Sequence, residues 1–112
     1  MEDKMTIFMI TGSYSAEGVK GLTEEGAVSR RNIIDGLTQH LGGSLVSAYW
    51  AAGGEDHFFV TVDVPNSDNL AALWMAVDSS GAARVNSITQ LWTAEQLDEA
   101  RAKVPGYRAP GA

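Results

Sequence analysis

At 112 residues and 11.9 kDa the chain has the length of one domain and no room for two independent cores. Its 45% hydrophobic and 20% charged residues fit a globular protein in water, and the absence of cysteine excludes disulfide scaffolds, Cys-based metal sites and thiol catalysis. A net charge of −6, from 14 acidic against 8 basic residues, argues against a nucleic-acid partner, because phosphate binding needs clustered Lys and Arg.

Arg30-Arg31 is the one adjacent basic pair, too little for a basic stripe. The amino terminus, MEDKMTIFMITG, is acidic where a signal peptide would be basic. No apolar run reaches the length of a membrane span. A soluble, cytoplasmic protein with no membrane partner is therefore expected.

In chain order, Met5 to Ile10 is apolar on both alternating faces, which predicts a strand buried on both sides. Thr11 to Ser15 is expected to end it, and the glycines at 18 and 21 suggest a loop with one irregular turn. A helix is expected from about Thr23, capped by that residue, with Glu24 and Glu25 at the positive end of its dipole. Its buried stripe would be Ile33, Ile34, Leu37 and Leu41, and Gly42-Gly43 would stop it. Gly26 and Gly36 weaken this helix, which suggests that each packs closely on another backbone.

Ser44 to Ala51 and His57 to Val64 then read as a hairpin. Phe58, Val60, Val62 and Val64 make one wholly apolar face of the second strand, with Phe59, Thr61 and Asp63 on the other. Pro65 and Asn66-Ser67-Asp68 end the strand and cap a helix whose core stripe would be Leu70, Leu73, Trp74 and Val77. Its remaining face, with Ala71, Ala72, Met75 and Ala76, is also apolar, unlike a monomer's surface helix. Arg84 to Trp92 reads as an edge strand. Thr93 and Gln96 match a capping box for a terminal helix presenting Leu97, Ala100 and Val104, and a loose tail follows from about residue 105.

The order β-α-β-β-α-β plus a short helix is the ferredoxin-like α+β pattern, a sandwich with strands one and three central. Right-handed crossovers put both main helices on one face of the sheet. Strand one is apolar on both faces, with Met5, Ile7 and Met9 on one and Phe8 and Ile10 on the other, and Phe59 points away from the all-apolar face of strand three, so something must cover the sheet's second face. The terminal helix is expected to cover part and a second copy the rest, giving a homodimer packed sheet to sheet.

Three passages carry a family resemblance: GVKGLTEEGAVSRRNIIDGLTQHLGG, GGEDHFFVTVDVPNSDNLAAL and SSGAARVNSITQLWTAEQLDEA. In order and spacing they resemble the GYD domain family. The resemblance implies a dimeric α+β barrel without an established general activity. The family's signature is Gly, a variable residue, then Tyr-Asp; here Gly54 is kept but Asp56 and His57 replace the pair. No role is therefore carried over from it.

Among candidate site residues, His57 is the one placed for acid/base catalysis at the start of a central strand. The competing explanation is a partly exposed histidine with no chemical duty, and it is favoured. Adjacent Asp56 is a ligand-binding candidate, but it does not simply orient His57, because neighbours on a regular strand face opposite ways unless a bulge at Gly53-Gly54 relaxes that rule. Tyr14, Tyr49 and Trp50 are expected to line a ligand cavity, although Tyr49 and Trp50 face opposite sides of one strand. Arg84 and Asn86 share a strand face by parity and would either bind an anion or solvate the edge. His40 suits the end of a helix, and a metal site from His40, Glu55, Asp56 and His57 has no supporting ligand spacing. No metal and no cofactor are expected.

Three functions fit these residues. The first is a dimeric protein binding a small apolar or aromatic metabolite. The second is a cofactor-free enzyme of cyclase, isomerase or oxygenase type using His57. The third is a structural assembly module.

Overall fold

The computed structural model describes residues 5–112, so the acidic start read at residues 1–4 lies outside the described residues. The elements are β1 (Thr6–Tyr14), α1 (Ala16–Glu25), α2 (Ala27–His40), β2 (Ser44–Trp50), β3 (Phe58–Val64), α3 (Asp68–Ser79), β4 (Ala83–Leu91) and α4 (Ala94–Arg101). The strands form one antiparallel sheet in the order β2-β3-β1-β4. This is a ferredoxin-like α+β arrangement, with the two most apolar strands in the centre and the more polar pair at the edges. No helix of the described residues is long and apolar enough to cross a membrane.

The alternation of β3 sets the core. Phe58, Val60, Val62 and Val64 are buried, and they stand in register with β1 so that Phe8 meets Val62 and Ile10 meets Val60. Leu70 of α3 completes the buried group, with Leu45, Ala48 and Trp50 of β2 packed against it. Full burial of one such side chain is worth about 1.5–3 kcal/mol, so this row anchors the fold. A register shift between Leu45 and Ser47 is what lets Leu45, Ala48 and Trp50 all turn to the core side.

Several local expectations are overturned. β1 does not end at Ile10; it runs on to Tyr14, because Thr11 and Gly12 keep their ladders to both β3 and β4. The stretch read as a loop is the helix α1, capped by Ser15, whose hydroxyl accepts the Gly18 N–H at 3.1 Å. Gly18 does not break this helix, because it lets the helix lie on the sheet's end: a Cβ there would collide with the Ala82 carbonyl.

Thr23 is accordingly no cap. It lies inside α1, and its hydroxyl donates to the Val19 carbonyl at 2.9 Å. The second helix starts at Ala27, and the break falls at Gly26, with φ 94° and ψ 151°. That backbone is close to glycine-only territory. Neither Gly26 nor Gly36 packs on another backbone; a Cβ at either would meet nothing within 4 Å.

The expected helix stripes also shift. In α2 the buried residue is Thr38, while Ile33 and Leu37 are exposed and Ile34 packs against the core. In α3, Leu70, Leu73 and Val77 face the sheet, and Trp74 falls beside this row and stays 45% exposed. Ala71, Ala72, Met75 and Ala76 are exposed as expected.

The predicted capping box of Thr93 and Gln96 is present on α4. No residue of α4 is buried, however, and the helix does not cover the sheet's second face. Gln96, Glu99, Ala100 and Lys103 instead border a hollow of about 270 Å³ with Thr6 and Gln90, which share the core-side parity of Phe8. The second face therefore stays open. Ile7, Met9 and Phe59 lie on it, together with the hydrogen-bonded pairs Ser47–Thr61 and Thr11–Ser87.

Candidate functional site

On its core side the sheet carries more apolar surface than its helices fill. α3 lines this region with the short Ala76 and β4 begins with Ala83, so these elements leave space over the central strands. The result is a half-open cavity of about 580 Å³ bounded by α1, α2, α3 and the sheet. Its floor is Ile10, Phe58, Val60 and Val62, and its walls include Ile34, Leu37, Leu73 and Val77. Small-molecule sites typically have roughly 300–1,000 Å³ and such an apolar lining.

Polar groups are few among the lining residues. Glu25 closes α1 and Arg30 lies in the first turn of α2. The Gly26 break folds them together, so that Arg30 Nη2 reaches Glu25 Oε2 at 2.7 Å and Nε donates to the same oxygen at 2.9 Å. Glu17, at the opposite end of α1, and Ser80, at the end of α3, are the remaining polar lining groups apart from Tyr14.

Tyr14, at the end of β1, forms the adjoining wall. Its ring lies 5.3 Å from that of Phe58, tilted by 54°, and its hydroxyl oxygen accepts the Trp50 indole N–H at 3.1 Å. Among the described residues no acceptor takes the Tyr14 hydroxyl hydrogen.

His57 stands behind Tyr14 and does not line the cavity. Its ring stacks on Tyr14 with centroids 6.3 Å apart and planes 13° apart. Its Nδ1 accepts the backbone N–H of Tyr14 at 2.9 Å. Its own backbone N–H donates to Gly12 O at 2.6 Å, and its carbonyl accepts the Ala51 N–H at 2.9 Å. A neutral ring held this way carries its proton on Nε2, and its lone pair is committed to Tyr14.

The other sequence-predicted residues are spread out. Asp56 is held by Asn86, whose side-chain amide donates to Asp56 Oδ1 at 2.9 Å and to Glu55 O at 3.3 Å. Asn86 occupies the register shift where Ser87 pairs with Thr11 and Val85 with Gly12, which removes it from simple parity with Arg84. Arg84 is exposed opposite Ser13. Tyr49 is exposed on the open face beside Phe59, and Trp50 packs against the core. Of the expected ligand residues, Tyr14 alone lines the cavity. No group of three or more His, Asp or Glu placed to hold a metal occurs among the described residues.

The Glu25–Arg30 pair and the apolar walls escaped the sequence reading. Their signal was Gly26: a helix break there brings together two residues that a continuous helix would turn apart. No curated protein and no solved structure matched the chain. The GYD domain family model matches residues 8–100, from β1 into α4, and the chain belongs to that family.

Proposed function

We propose that this chain is a small-molecule-binding protein that works as a cytosolic homodimer and holds an apolar or aromatic metabolite between its sheet and helices. The carrying observation is the 580 Å³ cavity, lined by core-side strand residues and closed on three sides by helices. Burying an apolar ligand there would remove from water the exposed flank of Leu37 and the half-buried Ile34, Leu73 and Val77, at about 25 cal/mol per Å².

A catalytic role for His57 ranks below binding. Its Nδ1 lone pair is occupied by the Tyr14 amide and its ring is absent from the cavity lining. An assembly role without a ligand would leave the cavity unexplained. The homodimer accounts for the open sheet face, where Ile7, Met9 and Phe59 lie without a covering helix.

Nile red titration tests the binding site. The wild type is expected to bind the dye with a blue-shifted emission. Ala76→Trp, which fills the cavity from an exposed helix position, is expected to weaken binding at least tenfold, while Met9→Lys on the opposite face leaves the site intact. Absence of dye binding to the wild type, or equal binding by Ala76→Trp, would overturn the assignment.

A further inference from the structure

The cavity has a chemical asymmetry that restricts its occupant. Its floor and walls are apolar, so a charged group placed deep inside would lose its hydration with no partner to replace it. At the rim, Arg30 is the one cation among the lining residues, and both its Nε and Nη2 are already turned to Glu25 Oε2. Glu17 adds a second carboxylate, so these three ionisable lining groups sum to −1. An anionic ligand would meet this net negative charge and would have to compete with Glu25 for Arg30. A carboxylate or phosphate ligand is disfavoured on both counts.

One donor remains. The Tyr14 hydroxyl oxygen is oriented by the Trp50 indole, and its hydrogen has no acceptor among the described residues. Its ring is fixed between Phe58 and His57, and the His57 imidazole in turn holds the Tyr14 backbone. A phenol so immobilised on a cavity wall can donate to an acceptor oxygen without first paying rotamer entropy.

We infer, on the footing of the ligand site proposed above, that the cavity takes uncharged aromatic or alicyclic molecules bearing a carbonyl oxygen, which accepts the Tyr14 hydroxyl hydrogen. Tyr14 is then the residue that sets specificity, and the Glu25–Arg30 pair with Glu17 is the filter against anions.

Three fluorescent probes separate these statements: prodan, an uncharged naphthalene ketone; phenylnaphthylamine, uncharged and without a carbonyl; and anilinonaphthalene sulfonate, an anion. Each is titrated into wild type, Tyr14→Phe and Trp50→Phe. Wild type is expected to bind prodan more tightly than the sulfonate. Tyr14→Phe is expected to lose about five- to tenfold in prodan affinity, the size of one net hydrogen bond, with phenylnaphthylamine unchanged. The phenylnaphthylamine titration also reports that the variant's cavity is intact. Trp50→Phe, which keeps the hydroxyl but removes the indole that orients it, is expected to lose less prodan affinity than Tyr14→Phe and to leave phenylnaphthylamine binding unchanged.

Equal prodan affinity in Tyr14→Phe, an equal loss for both neutral probes, or tighter binding of the sulfonate overturns the specificity while leaving the ligand site standing. Binding of none of the probes overturns the ligand site and the specificity together.

Discussion

Behind the cavity wall, the imidazole of His57 performs a backbone's task. Tyr14 ends β1, where its N–H would otherwise lie partly shielded at the strand's end; Nδ1 accepts it at 2.9 Å, and the two rings stack. Replacing His57 by Ala removes that acceptor without supplying another, and leaving a shielded donor unmade costs about 1–3 kcal/mol. His57→Ala is therefore expected to lower the urea unfolding free energy by about 1–2 kcal/mol, with an unchanged m-value, and to weaken prodan binding by loosening Tyr14. An unchanged midpoint would remove the pinning role. The residue stood out in the sequence because its chemistry is rare in this chain. Its partner did not stand out, because the contact joins positions 14 and 57 through a backbone amide, which side-chain identity does not disclose. Likewise Asp56, its neighbour in sequence, is engaged by Asn86 from another strand.

At the scale of elements, strands were more legible than helices. The alternation of β3 survives in the burial of every second residue from Phe58 to Val64, because a period of two needs no knowledge of what lies across the sheet. The α1–α2 region depended on tertiary context. Gly18 reads as a helix breaker until Ala82, brought close by β4, makes a side chain impossible there. Gly26 reads as a weak helix interior until its φ of 94° marks the break between two helices.

That break organises the cavity rim, since the Glu25–Arg30 pair forms across it. Gly26→Ala puts a Cβ into this backbone conformation, at a cost of about 1–3 kcal/mol. The variant is expected to melt several degrees lower, or to relieve the strain by joining α1 to α2, which would separate Glu25 from Arg30 and raise helical ellipticity. A melting temperature and ellipticity equal to wild type would show that the break is not enforced by this glycine. A ligand cavity is expected from the aromatic residues, but its lining beyond Tyr14 was not legible in the chain, because it arises from what short side chains at Ala76 and Ala83 fail to fill.

For the whole molecule, the dimensions are those of a thin, open body. The chain measures 55 × 42 × 22 Å, with a radius of gyration of 17.1 Å. A compact chain of this length would have one of roughly 13 Å. Part of the excess is the carboxyl-terminal stretch, where Leu97, Val104 and Tyr107 are all exposed. The rest of the thinness is a two-layer body whose sheet has helices on one side only. On the open side, Met9 occupies the middle of a central strand, opposite Thr61 on β3 and Thr89 on β4. Two polar pairs around it are already matched, Ser47 with Thr61 and Thr11 with Ser87, while Thr89 and Asp63 on the same face make no side-chain hydrogen bond among the described residues. The matched pairs can be covered without leaving orphaned hydroxyls, whereas Thr89 and Asp63 would need partners across an interface or a place at its edge.

A second copy placed sheet to sheet would put Met9 near the interface centre, where truncations and charges have their largest effects. Met9→Lys would bury an unpartnered ammonium there, while Met9→Leu keeps shape and polarity. Sedimentation equilibrium is expected to give about twice the 11.9 kDa chain mass for wild type and Met9→Leu, and the single-chain mass for Met9→Lys. A wild type that sediments at the single-chain mass, or a Met9→Lys variant that stays paired, would place the partner surface elsewhere. Because Met9 lies on the face away from the cavity, the dissociated variant is also expected to keep its Nile red affinity, which separates assembly from ligand binding in one protein.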